Sequence, residues 1–432
     1  MSVFTTTFGE TASYNAKVSG ASVFDVQYTR DAIGRITTKT ETIGGGASGA
    51  TTTYEYSYDV AGRLVAVKED GVVVSTYDYD ANGNRITAVT KAGTFQGFYD
   101  LQDRMTKYGD ASYTYTANGE LLTKAEPAGT TSYNYDVYGN LRGATMPDGT
   151  AIEYVIDASN RRIGKKVNGA MVQGFIYKDQ LEPIAELDGA GNVVARFVYA
   201  SKGHVPDYMT KGGVTYRIIS DHLGSVRLVV NTSDNSFTQR IDYDEFGNIT
   251  QDTNPGFQPF AFAGGVYDHH TKLTRFGARD YYAHTGRWTS KDPYRFYEKD
   301  SNIYNYAASN PVSYVDINGL WLMNHCDKPV IFKPEKGAIQ RLGPGGFYSG
   351  RIDGVQPPGW APDWFKVPGD LYFVTTNVTI DDCCNPVVSG GWGPDVDRAR
   401  GGKGPHRTGG PPDDTWKYDP NEVKDYQPPH IK

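Results

Sequence analysis

Cysteine is scarce in this chain and absent from its first 325 residues, since all three cysteines, Cys326, Cys383 and Cys384, fall near the end. The long first part therefore has neither a disulfide nor a thiol for chemistry. Three is an odd number, so at most one disulfide forms within the chain, and the spacing leaves its pairing open. No stretch of 18 consecutive apolar residues predicts a membrane-spanning helix. The start, Met-Ser-Val-Phe-Thr, lacks the basic and apolar regions of a secretion signal.

Basic charge is also in short supply, because 43 Lys and Arg face 50 Asp and Glu, a net charge of -7. A chain with this balance has no overall electrostatic footprint for nucleic acid, and we expect none to bind its repeated part. Methionine is rare at 6 residues, whereas there are 32 tyrosines and 50 glycines. Tyrosine-rich strands joined by glycine turns are typical of an all-β protein.

One short pattern recurs along the first 250 residues: Tyr-Asp, two variable residues, Gly, then Arg or Asn, and an aliphatic residue. Clear copies begin at Tyr58, Tyr79, Tyr135 and Tyr243, and weaker copies begin at Tyr28, Tyr99 and Tyr115. From Tyr58 to Tyr79 to Tyr99 the spacing is 21 and then 20 residues, a length that fits two strands and two turns.

Each copy predicts the corner of a β-hairpin. In segments such as Thr53-Tyr-Glu-Tyr-Ser-Tyr58, alternation places the tyrosines on one face of a strand. The aspartate accepts hydrogen bonds from turn amides, and the glycine adopts the positive φ of a tight turn. Because one hairpin cannot bury its own face, neighbours must stack into a long twisted sheet that curls into a shell. About seven copies are too few for a closed cage, so we predict a partial shell. The alternative is ordinary turn chemistry in an unrelated β-solenoid or propeller.

The repeats end in two distinctive segments, Arg279-Asp-Tyr-Tyr-Ala-His-Thr-Gly-Arg-Trp-Thr-Ser-Lys-Asp-Pro293 and Asn305-Tyr-Ala-Ala-Ser-Asn-Pro-Val-Ser-Tyr-Val-Asp-Ile-Asn-Gly-Leu320. Together with Asp221-His222-Leu-Gly-Ser-Val-Arg227 upstream, they resemble the core that closes Rhs (YD-repeat) proteins. The resemblance covers about residues 20 to 320. It implies a spiralling β-shell over residues 1–265, a closing plug over 266–320, and a variable C-terminal effector over 321–432. Without the resemblance, we interpret His222 as a structural turn residue.

The resemblance also implies that the plug cuts its own chain after Leu320, at the bond to Trp321. The matching residues are Arg279, Asp292 and Asp316, with Gly319 allowing close approach of the backbone. Two neighbouring carboxyl groups can share a proton, so that one acts as acid and the other activates water, while arginine stabilises negative charge. Ile317 replaces the proline of the family pattern, and Asp292-Pro-Tyr-Arg lacks its glycine. The alternative is that the aspartates only cap turns and Arg279 pairs with one of them.

Composition changes after Leu320, where 15 of the 23 prolines occur. Segments at 330–333, 346–349 and 371–378 predict a small β-rich domain over about 325–390, and the glycine-rich remainder, 391–432, predicts a flexible end. Lys403, His406, Arg407 and His430 are weak candidates for a ribonuclease-like acid–base and phosphate site. A solvated basic linker is the alternative, and we expect no metal site and no cofactor.

The sequence thus predicts an Rhs-type toxin that is secreted or displayed on a cell surface. The resemblance implies two partners, a cognate immunity protein for the tail and a component of a secretion system. Two alternatives remain: a non-enzymatic YD-repeat adhesion or binding protein, and a displaced tip fragment of a longer Rhs protein.

Overall fold

The computed structural model describes residues 2–5, 11–44, 49–293 and 302–319, together with the backbone of short strands between 322 and 417. Two compact units divide the chain: residues 1–293 with 301–319, and residues 294–300 with 320–432. The first unit contains both the repeats and the plug. Within the described residues, no helix has the length and apolar character needed to cross a membrane.

The repeats form one antiparallel meander of 24 strands in which each strand pairs with the next along the chain. Its first twelve strands are β1 Ser2–Thr5, β2 Thr11–Val18, β3 Ala21–Arg30, β4 Ile36–Ile43, β5 Ala50–Tyr58, β6 Leu64–Glu69, β7 Val72–Tyr79, β8 Arg85–Thr90, β9 Gly93–Tyr99, β10 Met105–Tyr108, β11 Ala111–Tyr115 and β12 Leu121–Glu126. The others are β13 Gly129–Tyr135, β14 Leu141–Thr145, β15 Ala151–Ile156, β16 Arg162–Val167, β17 Ala170–Tyr177, β18 Pro183–Leu187, β19 Val193–Val198, β20 Tyr208–Lys211, β21 Val214–Ser220, β22 Val226–Asn231, β23 Phe237–Tyr243 and β24 Ile249–Asp252.

The predicted hairpin corners are confirmed. At the corner Asp59–Arg63, the Asp59 carboxylate accepts hydrogen bonds from the amides of Ala61 and Arg63 at 3.0 and 2.9 Å. Gly62 has φ +87°, a conformation that costs a residue with a Cβ about 1–2 kcal/mol. The register shifts by one residue at Ser57/Tyr58, so this corner includes a β-bulge that bends the sheet, as does the corner after Tyr79.

Where a corner ends in arginine, a tyrosine and that arginine connect it to the neighbouring corner. The Tyr79 hydroxyl donates to the Leu64 carbonyl at 2.9 Å, and the Arg63 guanidinium lies 4.9 Å from the centre of the Tyr79 ring while donating to the Asp80 carbonyl. Equivalent tyrosine bonds join Tyr58 to Ile36 and Tyr99 to Arg85. Consecutive repeats are therefore joined by side chains as well as by the backbone of the sheet.

The sheet curls until its late strands pack against its early ones. Arg227 on β22 binds Glu41 on β4, and the rings of Tyr77 and Phe246 lie 4.9 Å apart. Among the described residues, no ladder joins β24 to β1, so the sheet does not close into a barrel. The all-β fold and the partial shell are thus confirmed, with a core that its own side chains fill.

The plug packs inside this curl. Its four-stranded antiparallel sheet consists of β25 Val266–Asp268, β26 Leu273–Phe276, β27 Arg279–Tyr282 and β28 Arg287–Trp288, and 3-10 turns occur at Phe262–Gly264 and Ala307–Ser309. The tail has short strands: β29 Leu322–Met323, β30 Val330–Pro334, β31 Gln340–Leu342, β32 Phe347–Tyr348, β33 Ile352–Gln356, β34 Phe365–Lys366, β35 Asn377–Ile380, β36 Pro386–Ser389 and β37 Thr415–Lys417. All three predicted tail segments overlap strands, the third only at residues 377 and 378, because residues 371–376 lie outside the described residues.

Candidate active site

The structure brings the two aspartates together on one arginine. Nη2 of Arg279 lies 2.8 Å from Oδ2 of Asp292 and 3.1 Å from Oδ2 of Asp316. All three side chains are buried, at 1%, 6% and 0% exposure. The separation of the two carboxylate oxygens therefore cannot exceed the sum of these two distances. The two aspartates, 24 positions apart in the sequence, converge at one buried point.

Backbone pairing positions each of the three residues. Arg279 starts β27 and pairs with Phe276 across the tight turn from β26. Asp292 follows β28, and its amide donates to the carbonyl of Ile303 at 2.9 Å. The chain beyond Asp316 returns to the same hairpin, because the amide of Ala278 donates to the carbonyl of Asn318 at 3.0 Å.

An aromatic cluster, which the sequence analysis did not predict, surrounds the guanidinium. Arg279 stacks over Trp288 with 4.1 Å between its central carbon and the ring centre, a cation–π contact in a dry environment. Phe276, Tyr281 and Tyr306 complete the cluster, and the Tyr281 and Tyr306 rings lie 4.3 Å apart. Burial, and then the charge of Asp316, raise the pKa of Tyr306 well above its usual value. Low polarity around the aspartates strengthens every charge interaction between them.

Gly319 lies directly against Arg279. It has φ +72°, and a Cβ at this position would lie 3.3 Å from both the amide nitrogen and Nε of Arg279, and 3.2 Å from the Phe276 carbonyl oxygen. Nε of Arg279 is buried and has no hydrogen-bond partner among the residues that the structure describes. One edge of the guanidinium thus holds the aspartates, while its Nε–H remains available near the end of the plug.

The arrangement allows two kinds of chemistry. Two ionised carboxylates beside a single guanidinium carry a net negative charge. This charge favours the binding of one proton by the pair. A protonated and an ionised carboxyl beside a hydrogen-bond donor are the components of an aspartate-type hydrolytic site. The same contacts also form a purely structural ion triad, with both aspartates rather than one paired to Arg279.

The remaining predicted site residues lie outside the described residues. These are Leu320 and Trp321 at the junction, the tail candidates Lys403, His406, Arg407 and His430, and the three cysteines. Their proposed roles stay predictions.

His222 occupies a structural position between the shell and the plug. Its Nδ1 lies 2.8 Å from the Tyr28 hydroxyl, and its Nε2 lies 2.8 Å from the Val312 carbonyl oxygen. Burial lowers the pKa of His222 to about 4, so the ring is neutral near pH 7. A neutral imidazole with both nitrogens engaged serves as a connector between β3 and the plug.

Comparisons with known proteins agree on the repeats. The sequence profile of the Teneurin YD-shell family matches residues 2–312. Teneurin-3 of Danio rerio is 31% identical over 321 residues, which cover 69% of this chain and 11% of that protein. Teneurin-4 of Mus musculus is 30% identical over 340 residues, 73% of this chain and 12% of that protein. The chain therefore spans about a tenth of the length of these relatives.

A bacterial protein and a solved structure also match. The tRNA3(Ser)-specific nuclease WapA of Bacillus spizizenii is 30% identical over 265 residues, 59% of this chain and 11% of that protein. The crystal structure of TcdB2-TccC3 aligns with a TM-score of 0.37 at 16% identity, covering 71% of this chain and 22% of that one.

Proposed function

The chain belongs to the teneurin YD-shell family, and from this premise we propose that it is a toxin-type shell that releases its tail, residues 321–432, by one self-cleavage after Leu320. The observation that carries the proposal is the joint binding of Asp292 and Asp316 to Nη2 of Arg279, with Gly319 against the same guanidinium. Hydrolysis needs an acid, a base and a donor for the oxyanion, and these three residues supply all of them.

The proposed reaction is the hydrolysis of one peptide bond within the same chain. The ionised aspartate takes a proton from water, and the resulting hydroxide attacks the Leu320 carbonyl carbon. The protonated aspartate then gives its proton to the amide nitrogen of Trp321 as the bond breaks. The immediate products are a Leu320 carboxylic acid and a Trp321 amine, and the aspartate pair still holds one proton, now on the former base. Transfer of the acid's proton to the amine gives a carboxylate and an ammonium group, so atoms and charges balance.

Two observations divide the roles between the aspartates. Asp292 makes the shorter contact with Arg279 and is slightly more exposed, which favours its ionised form. Asp316 is fully buried, and burial disfavours the charged form of a carboxyl group. We assign Asp292 as base and Asp316 as acid. Nε–H of Arg279 is the donor for the oxyanion.

Intact-mass measurement of the purified full chain over several days tests the reaction. We expect two fragments, one ending at Leu320 and one beginning at Trp321, for the wild type and none for Asp316→Asn or Asp292→Asn. Asp268→Asn is the matched control, because Asp268 is also a buried plug carboxylate but binds Lys165, 2.8 Å away, instead of Arg279. A wild-type chain that remains intact contradicts the proposal, as does a D316N chain that is cut normally.

We further propose that the released tail is an effector, that the chain works outside the producing cell or at its surface, and that a cognate immunity protein and a secretion-system component are its partners. The WapA relative, whose name describes a nuclease, supports an effector role for a chain with such a shell. Lys403, His406, Arg407 and His430 are the residues to test. Growth arrest on expressing the full chain, lost in D316N and in chains ending at Leu320, is the expected result.

The second candidate is a non-enzymatic shell with a binding or adhesion role. It is favoured by a second buried triad, in which Asp280 of the plug binds Arg162 of β16 and Arg275 of β26 at 2.7 and 2.9 Å without any predicted reaction. If the Arg279 triad is likewise static, the purified chain stays whole and cells expressing it grow normally.

A further inference from the structure

Two corners of the shell depart from the repeat in the same way. Most corners have glycine as their fourth residue, but Asp103 and Asn160 occupy that position, with φ of +57° and +59°. Each of these two corners follows one whose fifth residue is asparagine, Asn84 in the first case and Asn140 in the second. A non-glycine residue with positive φ that occurs twice, each time next to a corner ending in asparagine, suggests that this combination has a function.

The paired departures form two sockets, which we name by their asparagines. In the Asn84 socket, the side-chain amide of Asn84 donates to Oδ1 of Asp103 at 2.7 Å. In the Asn140 socket, the side-chain amide of Asn140 donates to Oδ1 of Asn160 at 3.0 Å. Each bond fixes the asparagine so that its Oδ1 faces the plug.

A plug arginine fills each socket. Arg287 donates to Oδ1 of Asn84 at 2.7 Å and to the Asp103 carbonyl oxygen. Arg275 donates to Oδ1 of Asn140 at 3.1 Å and to the Asn160 carbonyl oxygen at 3.4 Å. The two sockets thus contact a guanidinium through the same two acceptors, an asparagine Oδ1 and the carbonyl of the next corner.

Arg287 also takes over the place of a missing repeat arginine. Where a corner ends in arginine, that side chain stacks on the next repeat tyrosine, as Arg63 does over Tyr79 at 4.9 Å. Asn84 is too short to reach Tyr99, and Arg287 from the plug lies over Tyr99 at 4.9 Å instead. The shell therefore leaves a gap that an arginine from another part of the chain completes.

Each socket holds one half of the candidate active site. Arg275 lies on β26, and its neighbour Phe276 pairs with Arg279 in the same hairpin. Asn84 also accepts a bond from Asn302 at 2.7 Å, and Ile303, the next residue, accepts the amide of Asp292. The Asn140 socket thus holds the segment of Arg279, and the Asn84 socket holds the segment of Asp292.

We propose that the Asn84 and Asn140 sockets are guanidinium-recognition sites that hold the plug in register, and that Asn84 and Arg287 are positioning residues for Asp292. The part that concerns cleavage rests on the proposed function. Self-cleavage then depends on a folded shell, because Asp292 meets Arg279 only after the plug arginines enter their sockets.

Amide hydrogen exchange on the full chain tests docking independently of cleavage. The comparison uses N84A and R287K in the uncleavable D316N background. N192A is the matched control, since Asn192 ends a corner of the same chemistry but is exposed and, among the residues that the structure describes, bonds to its own Asp188 alone. Hydrogen bonds to a charged group are worth about 1.5–3 kcal/mol, so exchange of the Trp288 and Asp292 amides should rise at least about tenfold in N84A and R287K. R287K retains the charge and the shell but loses the planar fork.

Cleavage time courses of the same substitutions in the wild-type background complete the test. We expect N84A and R287K to slow cleavage by at least about tenfold and N192A to leave it unchanged. If the amide exchange rates of N84A, R287K and N192A are equal, the proposal that the sockets hold the plug is wrong. If exchange is faster in N84A and R287K but cleavage is unaltered, Asn84 and Arg287 do not position Asp292, and only their role in docking the plug is supported. If wild type is never cut, the proposed function fails, and exchange alone decides whether the sockets hold the plug.

Discussion

Arg227 on β22 and Glu41 on β4 form a bidentate ion pair across the curled sheet. Nη1 and Nη2 of Arg227 lie 2.6 and 2.9 Å from the two carboxylate oxygens of Glu41. Both side chains are buried, and 186 residues separate them in the sequence. Burial alone would raise the pKa of Glu41, but Lys39 and Arg227 outweigh it and lower this pKa to about 2. The pair joins the beginning of the shell to its end.

Replacing Glu41 by Gln should therefore destabilise the shell strongly. Removing one partner of a buried ion pair leaves an uncompensated charge and costs about 3–5 kcal/mol. E55Q is the control, because Glu55 pairs with Lys68 at 3.4 Å with both side chains 44% exposed, a setting worth about 0–1 kcal/mol. Free energies of unfolding from urea titration measure both changes. Equal losses in the two variants would show that the curl does not depend on this pair.

Each tyrosine hydroxyl of the repeats should contribute less to the free energy of unfolding than the Arg227–Glu41 pair does. In Tyr79→Phe the Leu64 carbonyl loses its donor while the ring remains stacked under Arg63, so we expect a loss of about 1 kcal/mol. Tyr138→Phe removes a hydroxyl from a side chain that is 78% exposed and should have little effect. The midpoint of urea unfolding distinguishes the two. An unaltered midpoint in Y79F contradicts the role of the hydroxyl.

Gly319 predicts a specific effect on cleavage. In Gly319→Ala the new Cβ meets Arg279 and the Phe276 carbonyl, so the guanidinium must shift and cleavage should slow about 10- to 100-fold. Gly191 has φ +85° and open space around its Cβ position, so Gly191→Ala carries the same backbone cost without that contact. Time courses of fragment formation compare them. Similar rates in G319A and wild type would mean that close approach to Arg279 is not needed.

Local pattern predicted the repeats because the corner chemistry lies within five consecutive residues. Asp59, Gly62 and Arg63 specify a turn without reference to the rest of the chain. Corners at Asp157, Asp188 and Asp221 were missed because Ile, Leu and Ser replace the preceding tyrosine, although each aspartate accepts the same turn amides. An aspartate followed four positions later by Arg, Asn or Ser was the available signal.

The resemblance predicted which three residues form the candidate site, but it did not predict the aromatic and shell residues that surround them. Arg279, Asp292 and Asp316 were named from matching motifs, but nothing local indicates that Trp288 stacks on the guanidinium. The Arg287–Asn84 bond joins residues 203 positions apart. Such contacts depend on how far the sheet curls, and curl accumulates from small twists that no single segment encodes.

The corner Asp244–Asn248 predicts a dependence of stability on pH. Partial burial of Asp244, and then the charge of Glu245, raise its pKa to about 7 from 3.8. Glu245 accepts a hydrogen bond from Tyr77, and Arg85 lies over the rings of Tyr77 and Phe246 beside it. The folded chain therefore binds a proton at Asp244 that the unfolded chain releases above about pH 4. The free energy of unfolding falls as pH rises from about 4 to 7.

Glu245→Gln removes the negative neighbour and retains an acceptor for Tyr77, so the pKa of Asp244 should fall toward its ordinary value. The free energy of unfolding of the variant should then fall less steeply between pH 5 and pH 8 than that of the wild type. The stability of the variant relative to the wild type should therefore rise with pH. Tyr77→Phe is the control, because it removes the hydrogen bond to residue 245, which E245Q keeps, but leaves both carboxylates in place. Urea unfolding at pH 5, 6, 7 and 8 gives the slopes. If E245Q and wild type run parallel across this range, Glu245 is not the source of the shift, and desolvation of Asp244 alone must account for it.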